Sequence, residues 1–302
     1  MSSVHDAARA DLAALLLQQA VPGGGWGYYP GKAARIEPTA WALLALAAAP
    51  GLPRPFAEIA APHLRVLART QRADGLLVDA PGMPPNFASN GLAACVLAGL
   101  ASDQSSVLGP LLNALTIVKG VAVASEPGAA QNNMLQAWPW LPDTFSWVEP
   151  TAWCMLALKK APSPLRPHAT VARLQEADAM LRNRQCAGGG WNYGNASVLG
   201  QDLRPYVPTS AMGILALQDQ HGTPDLARAL AYLEAAKLSE PSAMALSMAA
   251  VALHACDRPV VDVTARLEEG LAHARARANF HHLSAALYAL GLDEHHGSAL
   301  RV

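Results

Sequence analysis

Two kinds of helical segment alternate along this chain of 302 residues, and strict alternation leaves few ways to fold. Apolar residues recur at helical spacing, with charges between them, over 6–20, 55–71, 104–119, 166–185, 224–238 and 260–277. LARALAYLEAAKL at 226–238 is representative, with Leu226, Leu230 and Leu233 set against Arg228 and Glu234. Each such segment is followed by one almost without charge after its first residue: 37–49, 86–100, 149–158, 207–217, 240–255 and 279–292. A helix that is apolar all round is buried all round. Six amphipathic outer helices, each followed by a buried inner one, predict an all-α chain folded as an (α/α)6 toroid, one domain over 1–302. Alternation also makes the inner helices run in the same direction, so their N-termini gather on one rim.

A short phrase marks those starts: IEPTAW at 36–41, VEPTAW at 148–153 and, in weaker form, VPTSAM at 207–212. Proline suits a first helical position, because its missing N–H has no intrahelical partner there. Glu37, Glu149 and Glu240 then stand at or beside the N-cap, where a carboxylate meets free amides and the positive end of the helix dipole. A capping role predicts carboxyl pKa values below the usual range. Trp41 and Trp153 follow four residues after Glu37 and Glu149, on the same helical face. If that face lines the central space, each carboxyl has an indole a turn deeper, and π-faces stabilise cations where water would quench them. If it packs on an outer helix, the tryptophans are core.

Composition removes several classes of function. Residues are 52% hydrophobic and 15% charged, with a net charge of −1 and no block of like charge, so nucleic acid is not an expected partner. No apolar run reaches the roughly 18–20 residues that span a bilayer. MSSVHDAARADLAALLLQQ, with Asp6 and Asp11, reads as an amphipathic helix and not a signal peptide, which predicts a cytoplasmic protein. Cys95, Cys154, Cys186 and Cys256 lie far apart, without CxxC spacing, and read as reduced thiols. No GxSxG, HExxH, P-loop or dinucleotide fingerprint occurs, and no cofactor or metal is expected.

The loops before the inner helices carry a second pattern. QQAVPGGGWGYYP at 18–30, QRADGLLVDAP at 71–81 and QCAGGGWNYGN at 185–195 begin with the glutamine that closes an outer helix, and two of them turn on Gly-Gly-Trp. This resembles the QW repeat of the prenyltransferase and squalene-oxidase repeat family, found in squalene–hopene cyclases, oxidosqualene cyclases and protein prenyltransferase β-subunits. The match is strong in the first and fourth repeats, partial in the second and degenerate in the others. It implies the same toroid, with Trp26 and Trp191 stapling outer helices together.

The resemblance also implies chemistry. Class II terpene cyclases protonate an alkene or epoxide with the central aspartate of DxDDTA, at the start of an inner helix. Laid over WVEPTAW, the Thr-Ala pair falls on Thr151 and Ala152, and Glu149 takes the acid's place. Trp147 and Pro150 stand where the other aspartates would be. Glu37 makes the same partial match, preceded by Arg35. In the prenyltransferase branch an Asp-x-Cys pair and a histidine hold zinc. NFHHLSAALYALGL resembles the histidine segment, with His282 at the ligand position, but EPSAMALS lacks the Asp-x-Cys. His254 and Cys256 fall at the far end of that helix, so no zinc site is expected. His281 and His282 read either as structural or as a base or proton shuttle facing Glu149. His295 and His296 read as solvated.

The segment 121–148 is the longest break in the repeat and carries Trp138, Trp140, Phe145 and Trp147. It reads as a lid or apolar entry lip that could touch a membrane surface, or as a loop folded back over the third hairpin. Three functions fit. The first is a terpene cyclase-like isomerase that takes an isoprenoid or other apolar chain into a central cavity. Glu149 would be the acid, with Glu37, His281 and His282 assisting. Trp41, Trp147, Trp153 and Phe280 would line the cavity, with Trp138, Trp140, Tyr206 and Asn90 as further contacts. The second is a non-catalytic lipid-binding or protein-interaction toroid. The third is a carbohydrate-active enzyme with paired rim carboxylates. Substrate and oligomeric state stay open.

Overall fold

The structure is a computed structural model that describes residues 5–100, 105–124, 131–276, 281–293 and 300–302. Phe280, His295 and His296 lie outside the described residues. Among those described, twelve α-helices follow one another, each starting and ending within one or two residues of, or inside, a segment read from the sequence. They are α1 (Asp6–Gln18), α2 (Ile36–Ala48), α3 (Phe56–Arg69), α4 (Phe87–Leu100), α5 (Ser105–Ile117) and α6 (Val148–Lys160). The second half holds α7 (Thr170–Asn183), α8 (Val207–Leu217), α9 (Pro224–Ala236), α10 (Ala243–Ala255), α11 (Val261–Ala276) and α12 (His282–Gly291). A two-stranded ribbon, Ser197–Val198 with Gln201–Asp202, is inserted before α8.

The even-numbered helices form the inner ring. α2 packs on α4, α4 on α6, and so on to α12, which returns to α2. Leu43, Leu44 and Leu46 of α2, and Met155, Leu156 and Leu158 of α6, are buried on every side, as a chargeless helix requires. The odd-numbered helices lie outside and bury only a stripe, such as Leu226, Ala229, Leu230 and Leu233 of α9. The joint between last and first repeats is polar. His282 bonds the Gly27 carbonyl through Nδ1 at 2.7 Å and Gln19 Oε1 through Nε2 at 3.0 Å, while its N–H donates to the Tyr28 carbonyl.

One inner contact is closer than the others allow. A Cβ on Gly91 of α4 would lie 2.7 Å from the Cys154 nitrogen and 2.8 Å from the Trp153 carbonyl carbon. Only glycine lets these two backbones meet. Gly91→Ala is expected to cost roughly 1–3 kcal/mol by overpacking, read as a lower urea midpoint with unchanged slope.

The QW-like loops are built by repeated bonds. The indoles of Trp26, Trp138 and Trp191 are fully buried and donate to the carbonyls of Leu16, Leu115 and Leu181 on the preceding outer helices, each at 2.8 Å. Gln71 and Gln185 each bridge their own turn to the next outer helix, through Gly75 and Val107 and through Gly189 and Asp225. The threonine of EPTAW has its explanation here. Thr39 Oγ1 accepts from the Trp26 amide at 3.0 Å and Thr151 Oγ1 from the Trp138 amide at 3.2 Å. In the second repeat Asn90 takes that place, clamping Leu77 by both N–H (2.7 Å) and carbonyl (2.9 Å). All three pairs are thirteen residues apart. In the fourth repeat Ser210 serves Trp191 at 2.9 Å, over a longer separation because of the inserted ribbon. The third repeat, degenerate by sequence, therefore keeps the same tryptophan–threonine clamp in space.

Candidate active site

α2 and α6 begin one residue earlier than the phrase suggests. Glu37 and Glu149 are the second helical residues and the prolines the third, with Arg35 and Trp147 as N-caps. Neither glutamate caps its helix. The first amides are already taken from other loops: Ile36 N–H by Asp79 Oδ1 at 2.8 Å, Val148 N–H by the Tyr193 carbonyl at 2.9 Å. Glu240 lies outside α10 altogether, because Ser242 caps that helix by accepting from the Ala245 amide.

Released from capping, the two carboxyls turn to one small pocket of about 70 Å³ at the rim. Tyr28 and Asp79 enter it from the first and second loops, Ser89 and Leu92 from α4, and Trp140 from the third loop. Trp153 lines it beside Glu149. The Tyr28 hydroxyl donates to Glu37 Oε2 at 2.5 Å.

Burial reverses the pKa expected of caps. Glu149 is pushed from 4.5 up to about 8, first by loss of solvation and then by the charge of Glu37, against the opposing hydrogen bond from the Trp153 indole. Glu37 is also raised, by desolvation and by Asp79, although the Tyr28 bond pulls the other way. The Tyr28 phenol is raised in turn by burial and by Glu37. Two carboxyls that repel each other in one small pocket cannot both ionise easily, which favours the protonated form of Glu149.

Beneath the carboxyls, Trp41 and Trp153 meet edge to face, with centroids 5.4 Å apart at 80°. α4 separates α2 from α6 in the ring, so these indoles meet on its inside. They are 3% and 2% exposed. They pack on each other and not on an outer helix, and Trp153 also lines the pocket. Among the described residues, indole lies under the carboxyls, where the sequence led us to expect the wall of a cavity.

The other candidates stand elsewhere. His282 is the buried joint described above, and His281 caps α12 by accepting from the Ser284 amide while meeting Tyr29 edge-on. Neither histidine lines the acid pocket. Trp138 and Asn90 are loop clamps, so their expected ligand contacts give way to structural bonds. Tyr206 caps α8 and tilts against Tyr193, half exposed. Trp147 packs on Gly194, whose Cβ would lie 2.6 Å from its ring, and lines a different pocket. Tyr28 and Asp79 were not foreseen. Nothing local marks Tyr28, and the role of Asp79 depends on an amide far away in the chain.

Among the described residues no cluster of three or more His, Cys, Asp or Glu could hold a metal ion, the four cysteines are free thiols, and no helix is long and apolar enough to cross a membrane. No family model and no curated protein matches the sequence. Solved structures do. The type II terpene cyclase MstE from Scytonema, without ligand, superposes with a TM-score of 0.62 at 15% identity, over 96% of this chain and 98% of that one. A variant of that cyclase bound to its substrate, geranylgeranyl dihydroxybenzoate, gives 0.61 at 15% identity over 98% and 97%. A protein from Actinoplanes gives 0.57 at 13% over 94% and 98%. This chain has the helical toroid fold of type II terpene cyclases, along its whole described length.

Proposed function

We propose that this protein is a general-acid enzyme of the terpene cyclase type, in which Glu149 donates a proton to the double bond or epoxide at the end of an isoprenoid-like molecule. The supporting observation is that Glu149 and Glu37 share one rim pocket lined by Trp153, where burial and the neighbouring carboxylate push the Glu149 carboxyl up to about 8. The proton passes from the Glu149 carboxyl to the substrate, which becomes a carbocation, and closure onto a neighbouring double bond moves the charge along the chain. A final proton loss to Glu37 or water restores neutrality. Trp153 provides a π-face beside the site of first charge. The polar side of the pocket, with Asp79 and Ser89, suits an end that carries oxygen. A volume of about 70 Å³ admits the reacting end and not a whole chain, so the remainder lies against Trp140 or displaces the indoles.

Incubation with geranylgeraniol, its terminal epoxide and geranylgeranyl-substituted benzoates, followed by mass spectrometry, tests this reading. Glu149→Gln is expected to lower turnover by about 10²–10⁴-fold, since the amide accepts the Trp153 bond but cannot give a proton. Turnover in the wild type should fall as pH rises through about 8. Equal turnover in the Gln variant would remove Glu149 as the donor.

A further inference from the structure

Three arginines are almost completely buried: Arg9 and Arg173 at 3% exposed and Arg184 at 5%. A guanidinium taken out of water calls for a counter-charge. Arg9 has Asp6 and Asp293, and Arg173 has Glu176. Arg184 meets no carboxylate among the described residues. Its Nη atoms donate only to neutral oxygens: Asn183 Oδ1 at 3.2 Å, the Asn132 carbonyl at 3.3 Å and Asn133 Oδ1 at 3.1 Å. Its Nε is buried without a partner. Desolvation draws its pKa down to about 10.

The same arginine lines a pocket of about 170 Å³ between the third and fourth loops, distinct from the acid pocket. One wall is polar, where the Gln131 amide bonds Asn133 Oδ1 and Asn195 Oδ1 at 2.9 Å each. The other is apolar, from Leu135, Phe145 and Trp147, with Phe145 52% exposed. A cavity of roughly 150 Å³ takes a guest the size of benzene, so this one has room for a ring as well as its charge.

We propose that this pocket binds a small oxyanion, a carboxylate or phosphate group on a compact apolar or aromatic body, with Arg184 as counter-ion and Phe145 and Trp147 packing the body. The planar guanidinium fork matches two oxygens of either group. The site does not depend on the acid chemistry of Glu149, although Trp147 places it beside the same helix start.

Thermal unfolding of the full chain with millimolar sodium benzoate, and separately with inorganic phosphate, tests the site against sodium chloride of equal ionic strength. At least one anion should raise Tm saturably by several degrees. Benzoate alone would identify the carboxylate class, phosphate alone the phosphate class, and both their shared oxyanion chemistry. Arg184→Gln should abolish the response. Asn133→Asp puts a carboxylate where Arg184 already donates. It should raise Tm without ligand and abolish the response, so the test survives if the first variant fails to fold. No saturable shift with either anion in the wild type, or an undiminished shift in Asn133→Asp, overturns the proposal.

Discussion

Between pH 6.5 and 9 the wild-type protein is expected to lose about 2 kcal/mol of stability more than Glu149→Gln, the ionisation of the buried thiols being common to both. An unfolded glutamate titrates near 4.5, whereas Glu149 in the fold titrates at about 8. Between those values the folded state binds a proton that the unfolded state has released, so stability from this group is greatest below 4.5 and is lost as pH rises through 8. The whole interval bounds the effect at about 5 kcal/mol, and the window from 6.5 isolates the last part of it. That window is chosen because His63, lowered to about 4 by burial, gives the opposite slope below its ordinary 6.5 and none above. Urea unfolding at pH 6.5, 8 and 9 gives the slopes directly. At pH 9 the Gln variant should be the more stable protein. Parallel pH profiles for the two proteins would mean that water reaches Glu149, which would then be an ordinary surface carboxylate.

Trp138→Ala should be among the most damaging single changes on the third loop, at about 3–5 kcal/mol. The substitution empties a fully buried site, removes the donor to the Leu115 carbonyl and uncovers Arg173, whose guanidinium carbon sits 4.2 Å from the ring centroid. Trp140→Ala, two residues on, loses only part of a half-buried side chain at the pocket and should stay within about 1 kcal/mol of wild type while lowering turnover. Calorimetry and turnover together separate stapling from substrate contact in this pair. A near-neutral Trp138→Ala would mean that the third loop does not need its clamp.

The contrast between those tryptophans shows what the sequence carries and what it does not. Twelve helices were legible because helical periodicity and the presence or absence of charge are local properties, repeated along the chain. The carboxyls of Glu37 and Glu149 were placed on the right rim for the same reason. Their state was not legible. Whether a carboxylate caps a helix depends on which group reaches the first amides, and Asp79 and Tyr193 reach them from other loops. Trp138 was taken for a ligand contact because a long insertion separates it from the outer helix whose glutamine and glycine announce its counterparts. One signal was there to be read. Trp26 and Thr39, Leu77 and Asn90, and Trp138 and Thr151 keep one spacing, and that interval survives where the QW letters do not. The unpaired charge of Arg184 had no local sign at all, since a missing partner is visible only when every neighbour is known.

The closed inner ring also bears on how the protein is made. α2 is covered on one flank by α4 and on the other by α12, the last of the twelve helices to be synthesised. On the ribosome its second flank therefore stays bare until nearly the whole chain has emerged. Such a ring gains its full stability in one late step, and a helix without a charge beyond its first turn is the one that waits longest, which makes this a protein whose yield should depend on chaperones and temperature more than its size would suggest.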